Sequence, residues 1–115
     1  PVDKRRLERI VANLLDNARQ HGGGPVRVTL STSTATGRPT VDLGVEDAGP
    51  GVALSERTRI FERYARGAAS RGRSGTGLGL ALVAEHAHAH GGRAWVEDRP
   101  GGGSRFVVSF PMDER

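Results

Sequence analysis

Three short stretches carry side chains suited to a phosphorylated ligand with a flat base. The first holds Asn13 and Asn17, one helical turn apart, with Gln20 and His21 a turn further on. An amide oxygen is a hard neutral ligand for Mg2+, and an amide nitrogen donates to phosphate. The second is Asp47-Ala48-Gly49-Pro50-Gly51, directly after a strand pattern. A carboxylate there can accept from an exocyclic amine such as adenine N6, and glycines let backbone approach a base closely. The third, Gly75-Thr76-Gly77-Leu78-Gly79-Leu80, opens a helix. Free N–H groups at a helix start, uncovered by side chains, form an anion site. Arg66, Arg71 and Arg73 precede it and suit a lid closing on a terminal phosphate.

Each stretch taken alone has a plainer counterpart: solvated asparagines, an ordinary turn, a loop kept soluble by charge. The glycine run has no Lys after its last Gly, so it is no P-loop, and it does not follow a strand as the dinucleotide fingerprint does. His86 and His90 are spaced to chelate a metal, but the sequence supplies no third ligand, and His90 equally suits a helix C-terminus.

The elements that must position these groups can be read from periodicity. Asp3 can cap a helix with apolar positions at Leu7, Ile10, Val11, Leu14, Leu15 and Ala18, stopped by Gly22-Gly23-Gly24-Pro25. Val26 to Thr32 alternates as a strand, turns at Thr36-Gly37-Arg38-Pro39, and pairs with a second strand through Val41, Leu43 and Val45. Ser55 is placed to cap a short helix through Tyr64. From Ala65 to Gly77 no periodicity survives, which predicts a mobile loop of functional length. A helix from Leu78 to His90 ends at Gly91-Gly92, and strands follow at Arg93 to Glu97 and Arg105 to Phe110. The order predicts an α+β two-layer sandwich, a sheet backed on one face by helices.

The bulk figures bound the answer. At 115 residues this is a single domain over 1–115, rich in glycine and poor in aromatics, so its core is aliphatic. Net charge is +4, carried almost wholly by scattered arginines without a basic run or stacking platform, which argues against nucleic acid. There is no cysteine, hence no disulfide or thiolate site, and no apolar run approaches the ~18 residues of a spanning helix. The abrupt start at Pro1-Val2-Asp3 suggests a fragment of something longer.

Taken together and in order, Asn13-Leu14-Leu15-Asp16-Asn17-Ala18, Asp47-Ala48-Gly49-Pro50-Gly51, Phe61-Glu62-Arg63-Tyr64 and Gly75-Thr76-Gly77-Leu78-Gly79-Leu80 resemble the N, G1, F and G2 boxes of bacterial two-component sensor histidine kinases. The resemblance covers essentially the whole chain. It implies the Bergerat ATP-binding fold shared with DNA gyrase, heat-shock chaperone ATPases and mismatch-repair ATPases: a mixed, mostly antiparallel sheet backed by about three helices, with a flexible lid at about 65–77. It also implies ATP and Mg2+ as ligands. Asn13 would hold the metal and Asn17 contact phosphate. Gln20 stands where many relatives have Lys, and His21 where an aromatic often lies against the nucleoside. Asp47 would read adenine, with Gly49, Gly51 and Val52 beside it. Gly75, Thr76, Gly77, Leu78 and Gly79 would cradle phosphate, and Arg66 and Arg73 would reach the terminal phosphate. Tyr64 replaces the second Phe of the F box, a mild departure.

In the hydrolysing relatives a Glu stands at the position of Asn13 and activates water. Asn takes no proton near neutral pH, so the resemblance favours transfer to an outside nucleophile. The phosphoacceptor of the family is a His followed by an acidic residue on a separate dimerisation helix. None of His21, His86, His88 or His90 has that setting. The implied partners are that phosphoacceptor domain and a cognate response regulator, and no nucleic acid. This segment is expected as a monomer of a homodimeric protein, a cytoplasmic part of a membrane-anchored kinase. An anti-sigma-type serine kinase of the same fold and a non-catalytic nucleotide-sensing module are the competing readings.

Overall fold

The computed structural model describes residues 4–35, 37–62 and 79–112. Helix α1 spans Lys4–His21, strand β1 Pro25–Ser33 and β2 Thr40–Asp47; after two one-turn 3-10 helices come α2 at Gly79–Ala89, β3 at Arg93–Asp98 and β4 at Ser104–Pro111. The strands form one sheet in the order β1-β2-β4-β3. Every strand pair among the described residues is antiparallel, so the mixed sheet expected from the resemblance shows here only its antiparallel part.

The two-layer sandwich follows from where the apolar residues fall. Ile10, Leu14 and Ala18 of α1 are buried, on the stripe that the three-and-four spacing predicts. They meet Leu43 and Val45 of β2, Phe106, Val108 and Phe110 of β4, and Leu80, Val83 and Ala87 of α2. Full burial of one such aliphatic side chain contributes about 1.5–3 kcal/mol. This core fixes α1 over the β2 side of the sheet and α2 over β4 and β3. The second helix ends as its glycines predict: Gly92 N–H bonds the Ala87 carbonyl at 2.7 Å and Gly91 N–H the His88 carbonyl at 3.0 Å, with Gly91 at φ +77°. That is the paired bonding of a Schellman cap.

Two expectations change. The helix expected from Ser55 through Tyr64 is, over its described part, a pair of 3-10 turns at Leu54–Glu56 and Arg59–Phe61. Ser55 lies inside the first turn and caps nothing; Ala53 holds the cap position without a side-chain bond. The segment has no 3.6-residue apolar stripe to pack, so each turn is anchored singly. Phe61 packs edge-on against Phe106, centroids 6.3 Å apart. The second change concerns β1. Val28 and Leu30 lie opposite Val45 and Leu43 and therefore on the same sheet face. Yet Val28 and Leu30 are 50% and 68% exposed, because β1 is the sheet edge and the described helices pack over its neighbours.

On the other sheet face a charged network spans the strands. Arg105 bonds Glu97 at 3.1 Å and Arg99 bonds Glu46 at 3.1 Å. Gly44 lets the Arg105 guanidinium lie flat there, since a Cβ at that position would come within 2.8 Å of Arg105 Nη2.

Candidate functional site

The carboxylate singled out in the sequence closes β2. Asp47 is the strand's last residue, paired with Ser104, and only 3% exposed. Its Oδ1 accepts the Gly49 N–H at 2.9 Å. A buried carboxylate needs such donors, and its second oxygen offers an acceptor in a largely dry setting.

Three glycines bring backbone against this acid. A Cβ at Gly22 would lie 2.6 Å from both Cβ and Oδ1 of Asp47. A Cβ at Gly49 would lie 2.6 Å from Gly22 Cα and 3.0 Å from the His21 carbonyl oxygen. From the turn between β3 and β4, Gly103 presses on the Asp47 carbonyl, where a Cβ would collide with that oxygen. The end of α1, the end of β2 and two loops thus meet at one point. Gly51, at φ +84°, turns the loop back toward Gly103. Val52 packs on the core, and its carbonyl accepts the Arg57 Nε–H at 3.0 Å.

Helix α1 carries the site's other end. Asn17 is buried, 8% exposed, on the flank that leads to His21, and Gln20 is exposed. One turn before Asn17, Asn13 faces the first residue of α2: a Cβ on Gly79 would lie 3.8 Å from Asn13 Oδ1. Asn13 Nδ2 is buried with no hydrogen-bond partner among the described residues. An orphan buried donor costs about 1–3 kcal/mol, and a phosphate oxygen in reach would remove that cost. Asn13 thus faces the opening of α2, while Asp47 meets the end of α1 at Gly22.

Arg66, Arg73, Gly75, Thr76, Gly77 and Leu78, with Tyr64 and the expected lid, fall outside the described residues. Among the described residues no group of three or more ligating side chains occurs. Instead His90 Nδ1 contacts the His86 carbonyl oxygen at 2.9 Å, at the end of α2. His86 titrates below its ordinary value through burial, with Arg6, Arg9 and His90 adding to the effect. Sequence reasoning missed the roles of Gly22 and Gly103. Both sit in glycine runs that read as a helix stop and a turn, and only their contact with Asp47 distinguishes them.

A model of the histidine kinase-, DNA gyrase B- and HSP90-like ATPase family matches residues 2–114. The chain belongs to this family. It is similar to the signal transduction histidine-protein kinase AfsQ2 of Streptomyces coelicolor, 43% identical over 113 residues, which are 97% of this chain and 20% of that protein. The ATP-binding domain of PrrB from Mycobacterium tuberculosis superposes with a TM-score of 0.70 at 38% identity, covering 96% of this chain and 69% of that one. Full-length ShkA, solved in complex with AMPPNP, gives a TM-score of 0.70 at 36% identity over 92% of this chain and 21% of its own. The chain thus spans about a fifth of the length of AfsQ2. Its class is the ATP-binding catalytic domain of sensor histidine kinases. Among the described residues no helix is long and apolar enough to cross a membrane.

Proposed function

We propose that this chain binds Mg-ATP and transfers the γ-phosphoryl group to a histidine on a separate phosphoacceptor and dimerisation domain of the same kinase, which then feeds a response-regulator aspartate. The observation that carries the reading is a buried, amide-held carboxylate at Asp47 against the end of α1, together with a buried Asn13 Nδ2 that has no partner among the described residues, farther back on the same helix. The spacing suits a nucleotide, its base at the end of α1 and its phosphates at the start of α2. The relative solved with AMPPNP supports the same ligand class.

In this reading the second oxygen of Asp47 accepts from the adenine amine, and Gly49 and Gly51 keep the backbone low enough for the base to lie over the loop. Asn17 and Gln20 face the phosphates, His21 flanks the nucleoside, and Asn13 offers Oδ1 to the metal and Nδ2 to a phosphate oxygen. A Mg2+ ion held there would neutralise phosphate charge. Gly75 to Gly79 contribute backbone N–H groups, and Arg66 and Arg73 contribute charge at the terminal phosphate. The acceptor's unprotonated imidazole nitrogen forms the new N–P bond while the bond from phosphorus to the bridging oxygen breaks. ADP leaves with that electron pair, and the imidazole's remaining N–H proton passes to solvent.

Asn13 also sets the reaction's direction. An amide takes no proton from water near neutral pH, so the site retains ATP for an outside nucleophile. The test is to mix the chain with a helical phosphoacceptor domain from its own kinase and Mg-ATP. Acid-labile, base-stable phosphate on that domain is expected. Acid-stable phosphate would indicate a serine kinase, and tight ATP binding with no transfer a nucleotide sensor.

A further inference from the structure

The three consecutive glycines after α1 are not equivalent. Gly23 and Gly24 have φ of +77° and +110°, with nothing within 4 Å of where a Cβ would stand. They are glycine for the sake of the turn. Gly22 has no such backbone demand; its conformation suits any residue, and its N–H still closes the helical bond to the Ala18 carbonyl at 2.8 Å. What it lacks is room. Its missing Cβ would meet the Asp47 side chain at Cβ and Oδ1, 2.6 Å from each, and Gly49 presses on its Cα from the loop side. The helix cannot simply retreat, because Ala18 and Leu14 just before it are both 1% exposed in the core.

We infer that Gly22 is a positioning residue for base selection: its bare backbone seats the Asp47 carboxylate, so that the end of α1 sets where the adenine amine is read. This rests on the reading of Asp47 given above. A β-carbon at position 22 would push the carboxylate off its seat. The Gly49 N–H bond to Oδ1 would be strained, and the other oxygen would leave the base plane. The phosphate end, about two and a half turns away at Asn13, would be untouched.

The experiment compares ATP with purine riboside triphosphate, which differs by lacking the N6 amine, in titrations of the unsubstituted chain, Gly22→Ala and Gly23→Asn. Gly23→Asn perturbs the same turn at an open position whose positive φ Asn tolerates. We expect Gly22→Ala to weaken ATP about tenfold, the scale of one charge-assisted hydrogen bond. The purine analogue should weaken by less than about twofold, and Gly23→Asn should leave the preference intact. Equal weakening of both nucleotides, or none in a folded variant, overturns the inference. If the unsubstituted chain binds both nucleotides alike, the Asp47 reading fails first and takes this inference with it. Should Gly22→Ala fold poorly, thermal melting decides. The midpoint should drop by about 4–8 °C with Asp47 present and by less than about 2 °C in an Asp47→Gly background. Equal drops in the two backgrounds would mean that the clash lies elsewhere.

Discussion

The two ends of the site along α1 are built on opposite principles. At the C-terminal end three glycines place backbone directly against Asp47, and its carboxylate is already hydrogen-bonded to Gly49. Toward the middle of the helix, Asn13 holds a buried amide nitrogen with no partner among the described residues. The base end is preorganised, so little is lost in ordering it when ligand arrives. The phosphate end carries an unmet demand, a local cost that a bound phosphate would relieve. In the proposed reading, recognition and chemistry are thereby separated on one helix: the rigid end would select, and the unsatisfied end would act.

The largest break in this comparison should come from Asn13→Leu, close in size to the amide. Transfer to a supplied phosphoacceptor domain should fall about a thousandfold, since metal and phosphate contacts carry several kcal/mol of the transition state. The melting temperature should hold or rise, because a buried orphan donor worth about 1–3 kcal/mol is removed. Function lost with stability gained is the signature of a strained functional group. A parallel fall in stability and in adenosine affinity would show that the two ends are not separable.

Asp47→Ala comes next. ATP affinity should drop about 10- to 100-fold, as for loss of a hydrogen bond to a charged group, and the preference for ATP over GTP should vanish. Titration with and without Mg2+ checks both points. A retained adenine preference would move base reading to another residue. Smaller again is Gln20→Lys at an exposed position. It should tighten ATP a few-fold, on the scale of about 0.2–1 kcal/mol for an exposed ion pair, with the gain lost at high salt. Adenosine, which has no phosphates, should be indifferent to the change.

Most of the architecture was legible because it is local. The apolar spacing in α1, the alternation in β2 and the glycines after each helix each encode an element within a few residues, and the four boxes identify the ligand class. What could not be read depends on contacts distant in sequence. Nothing near Gly22 indicates that Asp47, 25 positions on, occupies the space of its side chain. The alternation in β1 is as regular as that in β2, yet β1 is the sheet edge and the described helices cover it less, so Val28 and Leu30 stay exposed while Val45 and Leu43 are covered. The stretch after Ser55 has helix-forming residues without a stripe, and tertiary anchoring of Ile60 and Phe61 leaves it as 3-10 turns.

The smallest effect is one of pH, and it falls on the packing of the two helices rather than on the base end. His86 on α2 carries a buried Nε2 without a partner among the described residues, and burial holds its folded pKa below the ordinary 6.5, with Arg6 and Arg9 of α1 and His90 adding to the shift and Glu85 opposing it. The unfolded chain therefore takes up this proton first as the pH falls. The stability tied to neutral His86 is complete well above 6.5 and is lost as the pH drops through that value toward the folded pKa. Melting curves at about pH 7.5 and about pH 5.5 should show a smaller acid-side loss for His86→Leu than for the unsubstituted chain. ATP-over-GTP preference, measured at the same two pH values, should not distinguish the two proteins. Identical acid-side losses would mean that His86 gains no more solvent on unfolding than it already has. A shift in base preference would instead tie the packing of α2 to Asp47, and the two ends of the site would have to be treated as one.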